Sequence, residues 1–204
     1  MRRSSTATEE LAISNMTDTM PNPGPLKVEN SLDLIIVLLY APGSTGKVAE
    51  PIAGITRLQK LVFLLKQGEG PEAVVESARE FDYKPFKMGP FSQELYRDLD
   101  VLKSLGLVRT RRLEYLITDD DDPEAADEGE PQARMVESTL FELSERGINA
   151  GRDLLDGLKR RDRDGLVEFK KFFNSIPLRQ LLIFVYQKYP KYTTESTIRG
   201  KLGL

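Results

Sequence analysis

The chain has no cysteine, no histidine and no tryptophan among its 204 residues. Without cysteine there is no disulfide, no thiolate nucleophile and no cysteine zinc site. Without histidine the commonest general acid–base and metal ligand is gone, and serine–histidine and cysteine–histidine catalysis go with it. An enzyme would have to work with carboxylates, lysine, tyrosine or a carboxylate-bound hard metal. The composition therefore points to a protein with no catalytic residues, no metal and no cofactor. Long hydrophobic runs are missing too. The longest, residues 34–40, falls well short of the roughly 20 residues that a membrane span requires. At the N-terminus Arg2-Arg3 leads into a polar stretch with no apolar centre, unlike a signal peptide, so a cytoplasmic location is expected.

What is present is ordinary for a soluble protein, with 40% hydrophobic and 30% charged residues. The length suits one substantial core plus a small accessory unit. The net charge of −3 is unevenly spread. Residues 119–130 hold eight of the 32 acids and no base, which leaves 24 acids against 29 bases elsewhere. The body is thus mildly basic and carries one concentrated acidic insert, placed at 119–132.

Residues 1–27 are polar, with Pro21, Pro23 and Pro25 along their end, and are expected to be a disordered tail; Met16 or Met20 is a candidate start. Asn30 caps a first helix that is apolar nearly all round, the mark of a buried central helix, although periodicity alone also allows a strand here. The stretch from Ala41 to Gly54 reads as a Gly- and Pro-rich loop. In the second helix, Thr56-Arg57-Leu58-Gln59 reads as a capping box, and Leu58, Leu61, Val62 and Leu65 form one face. A short helix is expected over 72–80 and an extended segment over 81–88, where Pro85 forbids helix. Gly89-Pro90 turns the chain, and Ser92 is placed to cap a third helix by accepting from its free N–H groups. Leu95, Leu99 and Leu102 make the buried stripe of that helix, and Gly106 suits a left-handed stop.

Two strands follow, near 107–117 and 136–143, with the acidic insert between them. Beyond Ser144 the chain reads as helices. Ile148, Leu155 and Leu158 share a face in the first, which Gly147, Gly151 and Gly157 weaken. Leu166, Phe169 and Phe173 mark a second, and Leu178, Leu181, Leu182, Val185 and Tyr189 a third opened by Pro177. A short terminal helix carries Ile198 and Leu202. These segments have more apolar surface than they can bury alone, and must pack on the preceding domain or on a second copy.

Two motifs invite chemistry and fail on inspection. Ala41 to Val48 ends in Gly46-Lys47 like a phosphate loop, but Ala41 stands where the first glycine belongs and Val48 where the magnesium-binding hydroxyl belongs. Asp119 to Asp122 lack the glycine-bearing spacing of a calcium loop.

Helix, strand, wing, strand, helix is the core of a winged-helix domain. The expected class is therefore mainly α with a small β-hairpin (α+β). A winged helix-turn-helix would span 28–150, and a helical accessory or dimerisation unit 151–204. In such a domain the third helix enters the major groove of double-stranded DNA while the wing strands grip phosphate. Gln93 and Arg97 can read base edges. Ser92, Lys103, Lys84, Lys87, Arg109, Arg111 and Arg112 complete a candidate DNA-binding set. Glu94, Asp98 and Asp100 oppose it, leaving residues 92–105 at −1, and the acidic insert opposes a phosphate grip at the wing.

The same residues carry a family resemblance. Ser92 to Val108, with its Leu-Gly-Leu-Val step, and Leu143 to Gly147 resemble PadR-type winged-helix regulators. Leu58-Gln59-Lys60-Leu61 together with Met88-Gly89-Pro90-Phe91-Ser92 more closely resembles YwgA-like and Panacea-antitoxin-like winged helices, whose turn usually has an aromatic residue where Met88 stands. The likeness covers roughly residues 31–150. The PadR resemblance implies a homodimer joined through C-terminal helices that represses nearby genes. The antitoxin resemblance implies instead a non-catalytic module that binds another protein. A DNA-binding regulator is the leading expectation and a protein-interaction module the alternative.

Overall fold

The computed structural model describes residues 26–117 and 134–204. Nearly all of the expected tail, both candidate starts and the acidic insert 119–132 lie outside these residues.

Helix α1 (Ser31–Tyr40) opens with reciprocal bonds: Asp33 N–H donates to Asn30 Oδ1 at 3.0 Å, and Glu29 N–H donates to Asp33 Oδ2 at 3.1 Å. Every residue from Leu34 to Tyr40 is buried, as expected of a helix with no polar face. Around it the chain places α2 (Ile55–Lys66), α3 (Glu72–Ala78), α4 (Gln93–Ser104), α5 (Glu145–Gly157), α6 (Arg160–Ser175) and α7 (Leu178–Lys188). A 3-10 turn at Pro190–Tyr192 follows α7, and a second, Gly200–Leu202, stands where a short terminal helix was expected, with Ile198 and Leu202 buried.

Strands β2 (Val108–Ile117) and β3 (Arg134–Leu143) pair antiparallel over their whole length, from Val108 opposite Leu143 to Ile117 opposite Arg134. A third strand, β1 (Ile52–Ala53), lies inside the stretch read as loop and pairs with the other edge of β3, giving the order β1-β3-β2. Two residues are too few for a period-2 pattern, so β1 left no signal in the sequence. With seven helices and one small antiparallel sheet among the described residues, the class is α+β.

Helix α2 does not begin with the expected capping box. Its N-cap is Gly54, at φ +83°, and no side chain caps it. Thr56 lies inside the helix, its hydroxyl against Met88 Sδ. Gln59 is buried and bonded elsewhere. Glycines 147 and 151 have a purpose in α5 that outweighs their cost in helix propensity. A Cβ on Gly151 would stand 2.5 Å from Tyr40 Cβ, and one on Gly147 would stand 2.1 Å from the Leu107 carbonyl oxygen. They let α5 lie directly on α1 and on Leu107, the residue before β2. The inward face of α5 carries Leu154 as well as Leu155, with Ile148 only partly buried.

The C-terminal helices dock on the N-terminal body, the first of the two expected partners. Lys170, wholly buried in α6, donates to the backbone carbonyls of Leu39, Ala41 and Glu50 at 2.7, 2.7 and 2.9 Å. Arg57 donates to Phe173 O at 2.9 Å. The Phe63 ring of α2 is met edge-on by Tyr83, Tyr189 and Tyr192 at 5.1, 5.1 and 4.9 Å. One hydrophobic core therefore runs from Leu34 to Leu202.

Candidate functional site

Helix α4 is held at its start by a turn that calls for glycine at position 89. Lys84 and Phe91 exchange both backbone hydrogen bonds at 2.9 Å, and Gly89 between them takes φ +83°. A Cβ there would also strike the Tyr186 ring at 2.7 Å. Gln59 of α2 then clamps the N-cap residue: its amide donates to Ser92 O at 2.7 Å, and its carbonyl accepts from Ser92 N–H at 3.1 Å.

Ser92 itself differs from expectation. Its hydroxyl donates to Glu94 Oε2 at 2.6 Å and makes no cap bond to the helix backbone. A charged acceptor two residues on is a stronger partner than any cap geometry. That hydroxyl, with Glu94's own N–H, holds the Glu94 carboxyl below its ordinary value. Ser92 is completely buried, so it frames the helix and has no surface to offer a ligand.

Beyond the cap, Leu95, Leu99 and Leu102 face the core as expected. Gln93 and Arg97 are both exposed and stand one turn apart on one face. Tyr96, Asp100, Val101, Lys103 and Ser104 share the exposed surface. All three opposing carboxylates are engaged with the protein. Glu94 is on Ser92, and Asp98 is half-buried, where burial raises its pKa against a hydrogen bond from the Ser31 side chain. Asp100 is exposed and pairs with Lys103 at 3.1 Å. Gly106, at φ +67°, ends the helix in the left-handed conformation, and Leu107 N–H returns to Leu102 O at 2.9 Å.

The hairpin arginines do not form one cluster. Arg109 and Arg111 share a strand face and converge on Glu142, at 3.2 and 3.7 Å, while Arg112 faces the other way and meets Glu137 at 3.2 Å. Lys84 is exposed and pairs with Asp82 at 3.2 Å. Lys87 is exposed, and its carbonyl accepts from Thr197 N–H at 2.9 Å. Between α4 and the hairpin runs a groove of about 610 Å³, lined by Tyr96, Leu99, Lys103, Thr110, Tyr115 and Arg134 among others.

The loop that mimics a phosphate site is filled by its own anion. The Glu50 carboxylate accepts from Ser44 N–H and Oγ, from Thr45 N–H and Oγ1 and from Asn174 Nδ2, at 2.5 to 3.0 Å. Burial pushes the Glu50 carboxyl up, but the four bonds from Thr45 and Ser44 outweigh it and hold it at about 2. The N–H groups that a bound phosphate would use are therefore taken.

Three more buried polar groups escaped the sequence reading: Gln59, Lys60 and Lys170. Lys170 could have been found, since it falls between Leu166 and Phe173 at spacings of four and three, on the buried stripe. Lys60 lies off the leucine stripe of α2 and gave no such signal. Among the described residues no group of three or more acidic side chains could hold a metal ion.

No protein-family model, no curated protein and no solved structure matches this chain.

Proposed function

We propose that residues 28–150 act as a winged-helix unit on double-stranded DNA, with α4 in the major groove and the β2–β3 hairpin against the backbone, in a cytoplasmic transcriptional regulator. The observation that carries this reading is the exposed pair Gln93 and Arg97, one turn apart in the first half of α4, in a chain whose following hairpin bears Arg109, Arg111 and Arg112. Glutamine and arginine make two-pronged bonds to adenine and guanine edges. The arginine–carboxylate pairs are no bar: all three arginine side chains are largely exposed and can also reach a phosphate, and the one pair exposed on both sides, Arg112 with Glu137, is worth only about 0–1 kcal/mol. The PadR resemblance adds a dimer joined through C-terminal helices.

The test is fluorescence anisotropy on the protein's own upstream DNA and on a scrambled duplex across a salt series. Specific binding that weakens with salt is expected. Arg97→Ala should cost about 1–3 kcal/mol on the specific duplex and narrow the gap to the scrambled one. Replacing Arg109, Arg111 and Arg112 together by Ala should weaken both duplexes and flatten the salt slope by about one unit per lost phosphate contact. Unchanged affinity in both variants would sink the assignment.

A second reading, docking of a protein partner, draws on two features of α4 and the hairpin. The hairpin arginines already pair with carboxylates, Glu142 on one strand face and Glu137 on the other, and apolar Val101, Leu105, Leu116 and Met135 on the same elements are exposed. It expects a partner to co-purify from the native host and little DNA affinity at physiological salt.

A further inference from the structure

Lys60 is 3% exposed in α2, and its surroundings do not match its charge. Its amine donates to Pro90 O at 2.9 Å, and among the described residues this is the one hydrogen bond it makes and no carboxylate pairs with it. Lys170, at similar depth, has three carbonyl acceptors, one for each ammonium hydrogen. An ammonium at Lys60 leaves two donors unmet in a medium where each unmet donor is costly.

Beside Lys60 is a cavity of about 230 Å³, walled by α2, the turn before α4, α4 itself and Thr197. Its lining is mainly apolar: Ile55, Phe86, Met88, Phe91 and Tyr96, with the rings of Phe86, Phe91 and Tyr96 in tilted contact in sequence at 4.8 and 5.6 Å. The titratable groups on it are Lys60 from α2, exposed Lys87 from the turn and Tyr96 from α4; no carboxylate lines it. That volume holds several waters but is smaller than a drug-sized pocket, so it suits a small molecule.

We propose that this cavity binds a small monocarboxylate with an apolar body, the carboxylate pairing with the Lys60 ammonium and the body lying against Phe86, Met88, Phe91 and Tyr96. An anion supplies the counter-charge and acceptors that the buried amine lacks, and the apolar body replaces poorly bonded water on the ring faces. Burial lowers the Lys60 amine to about 7, so the charged form that attracts the anion is most populated below that pH. Phe91 and Tyr96 flank the start of α4, so an occupied cavity also bears on that helix; this consequence rests on the DNA reading, whereas the binding does not.

Hexanoate is the probe, titrated calorimetrically into the full-length protein without DNA, with hexan-1-ol as the uncharged control. One-site saturable binding is expected near pH 6, with affinity falling about tenfold for each pH unit above about 7. Lys60→Met, checked for folding by circular dichroism, should abolish it, and hexan-1-ol should bind far more weakly. On the wild-type chain, carbon-13 resonances of the lysine Cε groups give an independent readout: the Lys60 titration midpoint should rise when hexanoate is present. No saturable binding near pH 6, equal binding by hexan-1-ol, or a midpoint that hexanoate leaves in place would overturn the proposal. Because DNA is absent, failure here leaves the DNA reading intact, and failure of DNA binding leaves this site intact.

Discussion

Two buried lysines set the residue scale. Burial lowers both amines to about 7, and for Lys170 the nearby Glu50 carboxylate acts in the opposite direction. The carbonyl cage of Lys170 favours the ammonium further, whereas Lys60 has little to retain a proton. For Lys60 the consequence is a stability that depends on pH in an uncommon sense. The folded value, about 7, lies below the ordinary 10.5 of the unfolded chain, so between these limits the unfolded chain binds the extra proton. Stability should therefore rise with pH across that window, by at most about 1.4 kcal/mol per unit from this residue. Urea denaturation of wild type and Lys60→Met at several pH values should show the wild type gaining on the variant from pH 7 upward. Parallel curves would show that Lys60 is protonated alike in both states.

At the scale of the element, helix α5 sets propensity against fit. Alanine in place of a helical glycine usually gains about 1 kcal/mol, while overpacking a tight contact costs about 1–3 kcal/mol. At Gly151 the new methyl would sit 2.5 Å from Tyr40 Cβ, so overpacking wins and Gly151→Ala should destabilise. At Gly165 in α6 the nearest atom to a new methyl is Pro71 Cβ at 3.4 Å, so propensity wins and Gly165→Ala should stabilise. Chemical denaturation of both variants checks the opposite signs. The same contrast explains what could be read from the chain. The leucine stripe of α4, the Gly106 stop and the two long strands are periodic or punctuated locally, and all were legible. Gln59 was not, because a capping box and a buried clamp use the same residue type and only its tertiary partner, Ser92, decides between them. The exposure of Gln93 and Arg97 followed from the leucine register. The pairing of the arginines with Glu142 and Glu137 depended on strand register, which residue types alone do not fix.

For the whole molecule, the central fact is that the C-terminal helices complete the core that α1 and α2 begin. Removing residues after Leu158 would uncover Phe63 and leave three backbone carbonyls without the Lys170 ammonium. Such a truncated chain should lose its cooperative thermal transition, measured by circular dichroism; a sharp transition would show that the N-terminal body stands alone. The ring cluster at Phe63 also has an optical consequence. In a chain without tryptophan, near-ultraviolet signals come from tyrosine and phenylalanine, and three of the seven tyrosines crowd one phenylalanine from both ends of the sequence. Near-ultraviolet dichroism thus reports directly on how the two halves are joined, and can follow that junction without any label.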